Sequence, residues 1–197
     1  ILFLSLRDRS YLYYVGYLTA FGMAQMTLSG LTFQHLWPQH PDWGNNVLPV
    51  CVSIAGVLLS LFSRDFLSLK THWRRADAVM QAVQWLYLAI LPVLWLGHYA
   101  PAMRLGMTLT VVGPLLLLGI TAGMLRRGHR QAFYFLAAFG GLMLGLTSLA
   151  LAMFGMVKPN LWTIYGMQIG SVLEFLLLSL ALAHRFKLAQ EAHVQLQ

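Results

Sequence analysis

Leu105-Gly106-Met107-Thr108-Leu109-Thr110-Val111-Val112-Gly113-Pro114-Leu115-Leu116-Leu117-Leu118-Gly119-Ile120-Thr121-Ala122-Gly123-Met124-Leu125 carries no charged side chain, and Arg126-Arg127-Gly128-His129-Arg130 follows it at once. A run of roughly 20 apolar residues is the length a helix needs to cross the hydrocarbon of a bilayer. A basic cluster directly after such a run marks a loop kept on the cytoplasmic side during insertion. Working outward, the same pattern recurs on both sides. The expected spans are Tyr11–Phe33, Val47–Phe62, Ala78–Leu96, Leu105–Leu125, Ala132–Met156 and Leu161–Ala183.

The gaps between spans alternate in charge. Eleven of the 13 Lys and Arg residues fall in Arg7–Ser10, Arg64–Asp77, Arg126–Arg130 and the tail from Arg185. The other gaps hold only Arg104 and Lys158. This asymmetry orients the chain, with the basic gaps and the C-terminus facing the cytoplasm. Tyr11, Tyr13 and Tyr14 at one end of the first span, and Trp37 and Trp43 at the other, suit headgroup depth. Pro38–Asn46 reads as a turn-rich outer connection, and His98–Arg104 as a brief one.

Apolar residues make up 58% of the 197 and charged residues 10%, too few polar side chains to cover a water-soluble domain. The net charge of +7 is accounted for by the inner loops, where anionic lipid attracts Lys and Arg. No basic stripe is interleaved with aromatics, so nucleic acid is not an expected partner. The single cysteine, Cys51, excludes an internal disulfide and lies in an apolar run as a small hydrophobe.

The chain opens on Ile1-Leu2-Phe3-Leu4-Ser5-Leu6, too short to span before Arg7. These residues read as the end of a first helix that starts upstream. The expected fold is therefore an all-α polytopic bundle, with six complete helices plus the end of a truncated first helix of a seven-helix domain. Residues 1–184 are expected to form the transmembrane helical domain, and 185–197 to begin a cytoplasmic helix that leaves it.

Glu174 is the one acidic residue within the body of a span. A carboxylate there costs about 2.5–3.5 kcal/mol on insertion scales, so it must be compensated. Gly166, Gly170 and Glu174 recur at i, i+4, i+8, with Ala181 further along the same small-residue face. Small faces are where helices approach closely, so Glu174 is expected to point into the bundle. Two readings stand: a buried carboxylate that holds helix register, and a switch sensitive to protonation or ligand.

Gly119/Gly123, Gly141/Gly145 and Gly166/Gly170 each match Gly-x-x-x-Gly and are expected to seat one helix on another. Leu182, Phe186, Ala189, His193 and Leu196 recur at 4-3-4-3, a short heptad seam leaving the membrane. This stretch, with Leu182, Arg185, Phe186 and Ala189, reads equally as a mechanical linker leaving the bundle or as a solvated tail. Such a seam is compatible with a homodimer.

No catalytic residue, metal site or cofactor is expected. His35, His40 and Asp42 gather near one outer loop, but no histidine pair sits at i, i+3 or i+4 within a span. His72, His129 and His184 fall at inner ends. No nucleophile–base pattern or phosphate-cradling glycine loop appears. Retinal chemistry needs an embedded Lys, and Lys158 and Lys187 stand only at the two ends of the last span. An alternative function, a small transporter or proton conductor using Glu174, would draw on Gln25, Gln84, Thr121 and Ser171 as path residues.

The stretch Ile169–Arg185 resembles the last membrane helix of the bacterial seven-transmembrane receptors with diverse intracellular signalling modules (7TMR-DISM). That helix carries Gly, Glu four residues on, then Ser-x-Ala-Leu-Ala-x-Arg, matched by Gly170, Glu174, Ser179, Ala181, Leu182, Ala183 and Arg185. Arg7-Asp8-Arg9-Ser10-Tyr11-Leu12-Tyr13-Tyr14 is similar to the family's first inner loop and second helix, and Arg64-Asp65-Phe66-Leu67 to the end of its third. The resemblance implies a sensory transducer, with residues 1–184 as the receptor domain and 185–197 as the start of a cytoplasmic signalling helix leading to an output module. It also implies Leu182, Arg185, Phe186 and Ala189 as signal-relay positions. A periplasmic sensor domain would precede the bundle, and a cytoplasmic output domain such as a histidine kinase or diguanylate cyclase would follow it.

Overall fold

A computed structural model describes residues 9–36, 38, 41–129, 132–153, 156, 158 and 160–194, without the side chains of 41–45, 146, 149–153, 162–164, 167 and 184–194. Every regular element among them is helical: α1 Arg9–Leu28, α2 Leu31–His35, α3 Pro41–Phe66, α4 Leu69–His72, α5 Arg74–Trp95, α6 Tyr99–Arg126, α7 Ala132–Met153 and α8 Leu161–Val194. The fold is an all-α helical bundle.

Three helices are long and apolar enough to cross a membrane: Asn46–Phe66 within α3, α5 and α6. Shorter apolar stretches lie in α7 and α8, at Ala132–Gly145 and Gln168–Ala183. Large apolar side chains are exposed along these helices, among them Val79, Trp85, Leu86 and Trp95 on α5, and Trp95 is 88% exposed. An outer surface this apolar suits lipid and not water.

Several element bounds depart from the sequence reading. The first span is interrupted after Leu28, where Gly30 takes a left-handed conformation (φ 75°) and a separate short helix begins at Leu31. Thr27 Oγ1 and Ser29 Oγ donate back to the carbonyls of Met23 and Gln25, a bonding that competes with continuation of the helix. The outer connection after Pro38 is shorter than expected, because Pro41–Asn46 belongs to α3. Proline at a first helical position needs no N–H partner and already has the helical φ. The expected loop His98–Arg104 contracts in the same way, since α6 starts at Tyr99. Residues 1–8, the expected end of an upstream helix, lie outside the described residues.

α5 and α6 end alike. Gly97 (φ 80°) and Gly128 (φ 87°) donate to the carbonyls three residues back, while His98 and His129 donate to Val93 and Met124 five residues back. This is the Schellman closure, which needs a left-handed residue and so favours glycine.

The chain divides into two compact units, Ile1–Gly113 and Pro114–Gln197, with the boundary inside α6. In the first, α1 packs on α3 and α3 on α5. Tyr14 meets Phe62 with ring centroids 5.2 Å apart, and Phe62 meets Phe66 at 5.5 Å. Val83, Tyr87 and Ile90 of α5 form a buried cluster with Ala102 and Leu109 of α6. In the second unit α7 packs on α8. Among the described side chains of α7 the buried ones, Ala132, Phe135, Ala138, Phe139 and Leu142, follow helical spacing, as do Leu117, Thr121 and Met124 on α6.

Candidate functional site

A close helix approach in the second unit is built from glycine. A methyl at Gly166 would stand 2.7 Å from Ser148 Oγ and 3.2 Å from the Gly145 carbonyl oxygen. One at Gly170 would stand 3.0 Å from Leu142 Cα and 3.1 Å from the Gly141 carbonyl oxygen. Two Gly-x-x-x-Gly pairs therefore face each other antiparallel, backbone against backbone. Gly141 in turn receives the Leu173 side chain, 3.0 Å from its absent Cβ. Gly119 differs: no described atom lies within 4 Å of the methyl it would carry, and it is exposed. Gly123 is half-buried.

Glu174 lies one turn beyond Gly170 on the same face and is fully buried. Among the described side chains of α8 the buried positions are Gly166, Gly170, Ser171, Glu174, Leu178, Ala181 and Leu182, a single stripe. Continuing the register of the glycine contacts places Glu174 level with Ala137 and Ala138 of α7. The small side chains there leave room for a carboxylate between helices.

Three of the four residues named for a transport path have hydrogen-bond partners among the described residues. Ser171 Oγ donates to the Gln168 carbonyl at 2.8 Å, and Thr121 Oγ1 donates to the Leu117 carbonyl at 2.9 Å. Gln84 Oε1 accepts from Arg64 Nη1 at 3.0 Å. Gln25 Nε2 is buried and has no hydrogen-bond partner among the described residues. No group of three His, Cys, Asp or Glu side chains among the described residues is arranged to hold a metal ion.

Of the relay positions, Leu182 is buried, and the α8 backbone runs helical through Arg185, Phe186 and Ala189 to Val194. The side chains of those last three lie outside the described residues.

Two arrangements escaped the sequence reading, both in the first unit. Tyr87 is buried where three helices meet. Its hydroxyl donates to the Leu109 carbonyl at 2.8 Å, and its own carbonyl accepts from Ser53 Oγ at 2.6 Å. Its ring occupies the space that a side chain at Gly56 would need, and its oxygen lies 2.9 Å from a methyl at Gly113. The glycines facing an aromatic within apolar runs were the available signal.

The second arrangement is polar. Arg64, at the end of α3, reaches two residues one face apart on α5, Asp77 and Gln84, which are spaced by two turns. Its Nε and Nη2 donate to the two Asp77 oxygens at 2.7 and 3.2 Å, a bidentate pair. Next to it Ser10 Oγ donates to Asp65 Oδ2, tying the start of α1 to the end of α3.

An all-α chain with apolar exteriors on its long helices and close glycine seams between them is a membrane-embedded helical domain. It belongs to the 7TM diverse intracellular signalling family, whose match covers residues 1–185. The segment is thus a signalling membrane sensor domain, of a family not itself catalytic. No curated protein and no solved structure matches the chain.

Proposed function

We propose that the domain relays an envelope or intramembrane stimulus to a cytoplasmic output module, a histidine kinase or diguanylate cyclase, through its last helix. The observation that carries this reading is the continuity of α8. Its 34 residues run unbroken from Leu161 to Val194. At 1.5 Å per residue that is about 50 Å, against about 30 Å of hydrocarbon. Helix thus remains beyond the apolar stretch Gln168–Ala183, and motion at the glycine seam reaches the far end without an intervening hinge. The chain lies as a multi-pass protein in the inner membrane with its C-terminus in the cytoplasm, as its loop charges favour. A stimulus acts by binding one arrangement of α8 more tightly than the other. Glu174, buried in that seam, is the residue whose charge or hydrogen bonding biases the choice.

In the full-length parent, one to four alanines inserted after Arg185 rotate everything downstream by about 100° each. Output activity is expected to rise and fall with helical phase and to recover near the fourth insertion. A uniform response to all four insertions overturns the rigid relay.

A further inference from the structure

The geometry points to a docking surface for anionic phospholipid headgroups on the segment that joins α3 to α5. Two spans end there. α3 stops at Phe66 and α5 starts at Arg74, so Leu67–Trp73 joins the ends of two candidate spans, where a bilayer's headgroups would meet it. Lys70, Arg74 and Arg75 are all exposed on this stretch, and Arg9 joins them because the Ser10–Asp65 hydrogen bond brings the start of α1 alongside. None of these four cations has an ion-pair partner among the described residues.

The nearby acids do not balance them. Asp77 is held bidentate by Arg64, which is itself only 21% exposed, so that pair is internally neutral. Among the described residues near them, Asp65 is left as the one carboxylate against four cations. Arg74 and Arg75 also open α5, where the helix dipole presents positive charge and repels them further. Folding thus gathers like charges that nothing described in the chain relieves, at the depth where lipid phosphates sit. Each Lys or Arg near an anionic surface contributes attraction worth about a fivefold change in binding. Trp73, half-buried at the centre of the stretch, suits the same interfacial depth.

The test uses the full-length protein in nanodiscs of phosphatidylcholine with increasing phosphatidylglycerol, extracted gently and weighed by native mass spectrometry to count retained phosphatidylglycerol. Replacing Lys70, Arg74 and Arg75 together by Gln is expected to lower the apparent affinity for phosphatidylglycerol by about 100-fold. Arg74→Lys with Arg75→Lys keeps the charge and is expected to retain lipid as the parent does. Arg104→Gln, an exposed cation elsewhere, is expected to change little. Equal retention in the triple Gln variant and the parent overturns the proposal. So does retention abolished by inorganic phosphate, which would mean a soluble anion site, or charge-dependent capture of an acidic segment of the output module with no lipid dependence.

Discussion

The Tyr87 hydroxyl donates to the main-chain carbonyl of Leu109, 2.8 Å away on the next helix. Through it α5 is tied to α6, and the Ser53 hydrogen bond to the Tyr87 carbonyl ties α5 to α3. A phenol buried among apolar neighbours needs such a partner, and a helix carbonyl has a second lone pair to offer.

Tyr87→Phe removes that hydrogen bond and keeps the ring. The expected cost is about 1 kcal/mol, a fall of about 2–4 °C in the thermal midpoint measured in detergent. Gly56→Ala is expected to cost more, because the new methyl would overlap the ring and force it out of a packed site. Gly56→Ala matching or exceeding the parent midpoint would contradict this packing.

At the α7–α8 seam, Gly170→Ala places a methyl against the backbone of Gly141 and Leu142, which cannot rotate away. A loss of about 1–3 kcal/mol is expected. Gly119→Ala meets open space and gains up to about 1 kcal/mol of helix propensity. Opposite signs in the two midpoints are the outcome to look for, by fluorescence-detected size exclusion after heating.

Glu174→Gln is expected to insert and fold close to the parent, since the amide preserves hydrogen-bonding capacity in a fully buried position. Glu174→Leu is expected to lose stability by about 1–3 kcal/mol, because polar groups that met the carboxylate are stranded. Identical midpoints for the two variants would show that the site is indifferent to polarity.

Arg64→Lys keeps the charge and gives up the fork that grips both Asp77 oxygens and Gln84. In a double-mutant cycle with Asp77→Asn, Arg64→Ala is expected to show coupling of about 1 kcal/mol, modest because the pair is partly solvated. Arg64→Lys should recover less than half of it. Zero coupling would mean the pair adds nothing to the fold.

Much of this architecture could be read before the structure. Apolar run length and loop charge located the long helices, and 3.6-residue spacing put Glu174 and two glycine pairs on one face of α8 and its neighbour. Helix starts were harder, because Pro41 and Tyr99 begin helices inside stretches whose Pro, Gly and Asn content reads as loop. Tyr87 was invisible for a different reason: one tyrosine in an apolar run looks like any other until its neighbours are glycines from two distant segments. The Arg64–Asp77 pair spans a turn shaped by Ser68 in a left-handed conformation (φ 48°), a local geometry that no periodicity reports.

The facing notches at Gly141, Gly145, Gly166 and Gly170 are spaced by one helical turn on each partner. A slip of a fraction of a turn drives Ser148 Oγ or Leu142 Cα into the opposite backbone, whereas a slip of a full turn, about 5.4 Å, offers a notch again. The seam therefore behaves as a detent, firm against thermal creep and yielding only in discrete steps.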